Sequence, residues 1–227
     1  MIQKKKLKAL LFDLDGTLLH TAKDITNALN VALLAAQGEV LSVEQCMTHV
    51  GRGLRNALTG ALHAQDIYPT PDQLNTLIET MMEAYRSQPV DFSFIYPGMS
   101  DLLDRAVKHN MVLGVLSNKA DELVKVIVKH FFSDYPFVFV EGASSRYPLK
   151  PDPSSLLSFK KSVGCEADEL MLIGDSEVDY VTAQNGGCDV AIVTWGFREK
   201  KELIAAGCSP LCDTIEDLNV EVFDGRH

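Results

Sequence analysis

The chain has 227 residues, 46% of them hydrophobic and 23% charged, with a formal net charge of −10. This composition is typical of a globular protein with a sizeable core, and the length suits one medium domain or a domain with a smaller companion. The negative charge argues against binding to nucleic acid, whose phosphates favour basic surfaces, and no apolar run approaches the length of a membrane span.

The cysteines indicate a reducing compartment. There are five, scattered along the chain, with neither a Cys-x-x-Cys pair nor zinc-ligand spacing. An odd number of scattered cysteines is typical of reduced thiols. The apolar stretch near the start is short and is interrupted by Asp13, unlike a signal peptide. We therefore expect a cytoplasmic protein.

The first predicted element is a buried strand that ends in two carboxylates. The run Ala9-Leu10-Leu11-Phe12 has no polar alternation, which favours a central strand of a parallel sheet covered on both faces. Asp13 and Asp15 follow it, and side chains two residues apart on a strand point the same way. Two carboxylates placed together repel each other, and their oxygens suit Mg²⁺. The alternative is an ordinary Asp-Gly turn after a strand.

The next part of the chain has helical periodicity and no convincing strand. Apolar residues at helical spacing predict a helix over 21–37. The clearest helix begins at Thr70, where Pro71 suits the first helical position and Gln73 completes a capping box.

Beyond Tyr96-Pro97-Gly98, helices and strands alternate, which indicates crossover units and a parallel sheet. The predicted strands lie at 111–116, 137–140, 170–173 and 190–193, and the predicted helices at 100–108, 121–130, 154–163 and 178–184. The sequence therefore predicts an α/β fold, in which a doubly wound, Rossmann-like parallel-sheet core carries an inserted α-helical cap. We expect the core to contain residues 1–16 and 97–227, and the cap to contain residues 17–96.

Polar clusters follow four of the predicted strands. Taken alone, each has a local explanation, such as a helix cap or a solvated lysine. In a parallel sheet, however, the carboxyl ends of the strands share one rim, where ligands bind. The clusters are Asp13 with Asp15, Ser117-Asn118-Lys119, Lys150-Pro151-Asp152-Pro153, and Gly174-Asp175-Ser176 through Asp179.

Together these groups suit phosphoryl transfer. A carboxylate can attack phosphorus and form an aspartyl-phosphate, and a second carboxylate can move the proton of the leaving oxygen. Hydroxyl, amide and ammonium donors can hold the phosphoryl oxygens as charge spreads over them.

The four clusters, in this order, resemble the motifs of the haloacid dehalogenase superfamily, specifically its phosphatases with a helical cap. The resemblance implies that Asp13 is the nucleophile and Asp15 the general acid/base. It implies that Ser117, Asn118 and Lys150 grip the phosphoryl group. It also implies a Mg²⁺ site formed by the Asp13 carboxylate, the Asp15 main-chain carbonyl and the Asp175 carboxylate, with Asp179 in support.

Within the superfamily the chain is most similar to phosphoglycolate phosphatases, through Gly51-Arg52-Gly53-Leu54, Tyr96-Pro97-Gly98 and Val193-Thr194-Trp195-Gly196-Phe197. The resemblance implies a small phosphorylated substrate, most like 2-phosphoglycolate. Arg52 and Arg55 of the cap could bind its carboxylate, since two fixed donors suit that geometry, or they could be surface residues. The chain departs from the family where His20-Thr21 replaces a common Asp-Ser pair. The role of His20 is left open, between substrate contact and a partly exposed histidine.

Other functions remain as alternatives. A sugar phosphate, a nucleotide or pyrophosphate would suit the same core motifs, and a catalytically silent protein could bind a phosphorylated ligand. A dehalogenase would lack Asp15, and a mutase would resemble Glu-Asp-Ser where this chain has Gly174-Asp175-Ser176. The sequence carries no signal of oligomeric state.

Overall fold

The computed structural model describes residues 6–224. The strands in this part of the chain are β1 (Ala9–Phe12), β2 (Leu19–His20), β3 (Phe94–Ile95), β4 (Val112–Ala120), β5 (Phe137–Ala143), β6 (Leu170–Gly174), β7 (Asp189–Val193) and β8 (Leu211–Cys212). The α-helices are α1 (Ala22–Ala35), α2 (Val43–Met47), α3 (Leu54–His63), α4 (Pro71–Ser87), α5 (Met99–Lys108), α6 (Asp121–Phe132), α7 (Ser154–Val163), α8 (Glu177–Gly186), α9 (Lys200–Ala205) and α10 (Ile215–Asn219).

Six strands form one parallel sheet in the order β5-β4-β1-β6-β7-β8. The first strand lies inside it, with Phe12 opposite Val115 of β4 and Ile173 of β6. Chain order and spatial order differ because each parallel neighbour is reached through a crossover. The predicted fold class, a Rossmann-like α/β sheet with flanking helices, is confirmed.

The apolar sequence of β1 is explained by burial on both faces. Leu10 and Phe12 pack in one hydrophobic cluster together with residues of α5 and α6. Ala9 and Leu11 pack in a second cluster with residues of α7 and α8. Adjacent strand residues point to opposite faces, so a strand with helices on both sides has no solvent-facing position.

A helical segment, α1 to α4, separates β1 from the rest of the sheet. Its outgoing and returning chains pair as a two-stranded antiparallel ribbon, with Leu19 opposite Ile95 and His20 opposite Phe94. Each strand of the ribbon has only two residues, too few for alternation to reveal it in the sequence. Helix α4 begins as predicted, with Thr70 as N-cap and a complete capping box to Gln73.

The five cysteines are free thiols, four of them buried. Within residues 6–224, no helix combines the length and the apolarity needed to cross a membrane.

One buried carboxylate ties the start of the helical segment to its end. Asp24 of α1 is only 2% exposed, and it accepts hydrogen bonds from the Phe92 amide at 3.1 Å and the Ser93 hydroxyl at 2.5 Å. Hydrogen bonds to a charged group are stronger than neutral ones, and donors that lose their acceptor inside a protein are destabilising.

We expect Asp24→Ala to lower the free energy of unfolding by about 1.5–3 kcal/mol, because both donors lose their acceptor. Chemical denaturation measures this loss. The control is Asp91→Ala, which alters an exposed aspartate in the same returning segment. Equal stability of the Asp24 and Asp91 variants would contradict the assignment.

Candidate active site

The ends of the central strands bring the four predicted polar clusters to one cleft. Because β1, β4 and β6 are in register, the residues that follow them emerge at the same rim. The Asp13 amide continues the ladder by donating to the Ile173 carbonyl at 2.8 Å. The polar residues that line the cleft are Asp13, Asp15, Ser117, Asn118, Lys119, Lys150, Asp175, Ser176 and Arg198.

Three carboxylates form a buried cluster at this rim. One oxygen each from Asp13, Asp175 and Asp179 lies within 4.8 Å of the others, and all three side chains are buried. Burial raises the pKa of Asp13, although Lys150 opposes the rise, and Asp179 adds to it. Burial also raises the pKa of Asp175 well above its usual range, and the negative charges of Asp13 and Asp179 add to that effect.

Two glycines make room for Asp175. A Cβ atom on Gly16 would lie 2.2 Å from its Oδ2 atom, and one on Gly196 would lie 2.2 Å from its Cβ. The Phe197 amide donates to Asp175 Oδ2 at 2.7 Å. The chain thus packs its backbone around an all-oxygen, mutually repelling donor set, which fits a hard divalent cation such as Mg²⁺.

Lys150 is the counter-charge of the cluster. Its Nζ lies 2.9 Å from Asp13 Oδ1 and 2.6 Å from Asp179 Oδ1. Burial alone would lower the pKa of Lys150, but the two carboxylates raise it overall, so the side chain stays charged. Asn118 orients this lysine: its amide donates to the Lys150 carbonyl at 3.0 Å and accepts from the Lys150 amide at 2.8 Å.

Asp15 has a separate set of partners. Its Oδ1 accepts from Lys119 Nζ at 2.7 Å and from the Thr21 hydroxyl at 2.5 Å. Lys119 is 1% exposed at its side chain, and its Nζ lies 4.6 Å from the centre of the Tyr85 ring of α4. Sequence reasoning gave Lys119 no role. The signal was present, since Ser117 and Lys119 stand two residues apart on β4 and therefore share a face.

The structure does not bring Arg52 and Arg55 to the lining of the cleft. Arg52 lies 3.4 Å from Glu177, and Arg55 hydrogen bonds to Asn75. His20 is half-buried, and its ring stacks on Phe94 with 4.9 Å between centroids.

A different arginine lines the cleft. Arg198 follows Phe197, whose hydrogen bond to Asp175 draws this loop onto the carboxylate cluster. Its Nη2 donates to the Val50 carbonyl at 2.5 Å, and its Nε lies 3.3 Å from Glu177. Sequence reasoning missed Arg198, although it directly follows the motif that ends at Phe197 and lies shortly after β7, at the same rim.

Comparisons with known proteins agree with this geometry. A family model described as haloacid dehalogenase-like hydrolase matches residues 10–193. The phosphoglycolate phosphatase of Photobacterium profundum is 30% identical over 225 residues, covering 96% of each chain. That of Rhodospirillum rubrum is 29% identical over 197 residues, covering 85% of this chain and 82% of the relative.

Solved structures give the same result. A crystal structure from Lactobacillus delbrueckii subsp. bulgaricus superposes with a TM-score of 0.91 at 30% identity, covering 97% of this chain and 100% of that one. A predicted phosphoglycolate phosphatase from Haemophilus somnus superposes with a TM-score of 0.86 at 25% identity, covering 94% and 97%.

The carboxylate cluster makes a prediction about stability. A ligand that binds only the folded state stabilises by about 2.7 kcal/mol at 100 times its Kd, so we expect saturating Mg²⁺ to raise the melting temperature by about 5–10 °C relative to chelator. Asp175→Asn should abolish the rise, while Glu83→Gln, which changes an exposed carboxylate of α4, should keep it. An equal rise in all three proteins would place the cation elsewhere.

Proposed function

The chain belongs to the haloacid dehalogenase-like hydrolase family, and from this premise we propose that it is a Mg²⁺-dependent phosphatase of 2-phosphoglycolate that works through an aspartyl-phosphate. The observation that carries the chemistry is the buried cluster of Asp13, Asp175 and Asp179, in which the ammonium of Lys150 contacts both Asp13 and Asp179. The substrate assignment is supported by the relatives that are named phosphoglycolate phosphatases.

Asp13 is the proposed nucleophile. Its carboxylate is oriented by the Leu14 amide at 2.7 Å and by Lys150 Nζ at 2.9 Å, both at Oδ1. Attack by a carboxylate oxygen on phosphorus forms the acyl phosphate and releases the alcohol, which splits hydrolysis into two easier steps. Lys150 remains charged and neutralises part of the negative charge that gathers in the transition state.

Asp15 is the proposed general acid/base. In the first step it gives a proton to the leaving oxygen, and in the second it takes one from the attacking water. Lys119 and Thr21 hold one of its oxygens, which fixes the direction of the carboxyl group.

Ser117, Asn118 and Lys150 are the proposed phosphoryl-binding groups. Ser117 and Lys150 are buried at the cleft and can donate to phosphoryl oxygens. Asn118 also holds the main chain of Lys150, through the reciprocal pair of hydrogen bonds described above.

The Asp13 and Asp175 carboxylates and the Asp15 main-chain carbonyl are the proposed Mg²⁺ ligands, supported by Asp179. When bound, the cation would offset the repulsion between these groups and the incoming phosphate and polarise a phosphoryl oxygen. The Ser176 hydroxyl orients Asp179 by donating to its Oδ2 at 2.6 Å.

We propose that residues 17–96 act as a cap over a core formed by residues 1–16 and 97–227. Side chains and backbone from this segment line the cleft opposite the catalytic groups, at Ile25, Val50, Gly51, Gly53, Leu54 and Ala57. Every phosphomonoester presents the same phosphoryl group to the core, so the leaving group must be selected by what faces it across the cleft.

Because the five cysteines are free thiols, we place the protein in the cytoplasm.

A phosphate-release panel tests the substrate. With Mg²⁺, we expect the kcat/KM for 2-phosphoglycolate to exceed that for a sugar phosphate, a nucleoside monophosphate and pyrophosphate by at least about tenfold. Excess chelator should abolish release from all of them. A higher kcat/KM for another compound would replace the substrate, and full activity in chelator would refute the metal dependence.

Asp13→Asn should reduce kcat by a factor on the order of 10⁴ or more, because an amide cannot act as the attacking anion. Circular dichroism should show an unchanged fold. Asp134→Asn, at an exposed position, is the control and should keep wild-type activity. A folded Asp13→Asn protein with near wild-type turnover would show that another group attacks phosphorus.

A further inference from the structure

Among residues 6–224, three cationic side chains line the cleft, and they differ in the groups that their charge contacts. Lys150 contacts Asp13 and Asp179, and Lys119 contacts Asp15. Both lysines are therefore neutralised by carboxylates of the proposed catalytic group. Arg198 is the third cation of the lining, and it forms an ion pair with Glu177, which lies outside that lining.

The ion pair of Arg198 with Glu177 is long and is not exclusive. Glu177 is shared, since its Oε2 lies 3.3 Å from Arg198 Nε and its Oε1 lies 3.4 Å from Arg52 Nη2. Two guanidinium groups thus face one carboxylate, at distances long for charged hydrogen bonds. The charge of Arg198 also reaches the carboxylate cluster, where it opposes the rise that burial causes in the pKa of Asp175.

Arg198 reaches across to the helical segment that faces the catalytic groups. Its Nη2 donates to the carbonyl of Val50, just after α2, at 2.5 Å. Its Nη1 donates to the carbonyl of Met47, the last residue of α2, at 3.4 Å. Gly51 permits this approach, because a Cβ there would lie 2.6 Å from Nη2. The guanidinium therefore stands between core and cap, with uncharged carbonyl oxygens as the acceptors of its outer nitrogens.

Those acceptors are weaker than a carboxylate. A guanidinium presents its N–H groups as a planar fork that matches a carboxylate in a bidentate pair, and such charge-assisted pairs are stronger than bonds to a neutral carbonyl. A substrate carboxylate entering the cleft would thus be a better partner for the outer edge of Arg198 than the Val50 and Met47 carbonyls.

We propose that Arg198 is the specificity-determining residue of this enzyme, and that its guanidinium binds the second anionic group, a carboxylate, of the substrate. The inference rests on the proposed function, because it requires a phosphomonoester with such a group. It assigns to Arg198 the role that the sequence suggested for Arg52 or Arg55. Arg52 is 70% exposed at its side chain and lies outside the cleft lining, whereas Arg198 is 15% exposed and within it.

The experiment compares two substrates that differ only in the second anion. Ethyl phosphate has a methyl group where 2-phosphoglycolate has a carboxylate, so the ratio of their kcat/KM values isolates recognition of that group. In Arg198→Ala we expect this ratio to fall by about tenfold to a hundredfold, chiefly through the KM for 2-phosphoglycolate. Arg198→Lys, which keeps the charge and loses the fork, should give an intermediate ratio.

Further variants distinguish binding of the substrate carboxylate by Arg198 from a purely structural contact between the cap and the core. Arg52→Ala removes the other arginine on Glu177, and Glu177→Gln removes the ion pair but leaves Arg198 in place; both should retain the substrate ratio. If Arg198→Ala lowers kcat/KM equally for both substrates, Arg198 only holds the cap against the core, and the proposal is wrong. If Arg52→Ala collapses the ratio instead, recognition belongs to Arg52.

The outcome for the wild-type protein keeps this proposal distinct from the proposed function. A wild-type preference for 2-phosphoglycolate that survives in Arg198→Ala refutes the role of Arg198 and leaves the substrate standing. Equal wild-type kcat/KM values for the two compounds refute 2-phosphoglycolate as the substrate and, with it, any carboxylate recognition.

Discussion

The structure depends on keeping four carboxylates together at the ends of two neighbouring buried strands. Asp13 and Asp15 follow β1, and Asp175 and Asp179 follow β6. An isolated buried charge is strongly unfavourable, so each of these groups needs a partner. Lys150 forms ion pairs with Asp13 and Asp179, and Lys119 forms one with Asp15. Backbone amides donate hydrogen bonds to Asp13 and Asp175. The two lysines leave the group with a net negative charge. Such an excess of negative charge suits a divalent cation, which is why we propose one at this rim.

The sheet could be predicted because its sequence signals are local. The unbroken apolar run of β1 reports burial on both faces, and the capping box at Thr70 reports the first turn of α4 through residues that contact each other directly. The two-residue strands β2, β3 and β8 have no such signal. They exist because tertiary structure places their partners beside them, and two residues are too few to show a period.

The part of the candidate site that lies at the strand ends could also be predicted from the sequence. Parallel strands deliver their carboxyl ends to one rim, so Asp13, Ser117 and Asp175 could be brought together from their positions alone. Arg52 and Arg55 could not be placed in this way. They belong to a helical segment whose rotation against the sheet is set by packing rather than by local pattern, and the structure turns them away from the cleft lining. Arg198 was missed because a loop contact between Phe197 and Asp175 decides where it lies.

The short ribbon of β2 and β3 has a consequence for how this enzyme could diversify. The chain leaves the sheet and returns to it at points that are hydrogen-bonded to each other, through Leu19 opposite Ile95 and the Tyr96 amide on the Leu18 carbonyl. A segment whose two ends are already joined can be lengthened, shortened or exchanged without moving the strands it interrupts. A new set of helices inserted at the ribbon would therefore face the same rim and the same proposed nucleophile, and would change only which molecules can enter the cleft.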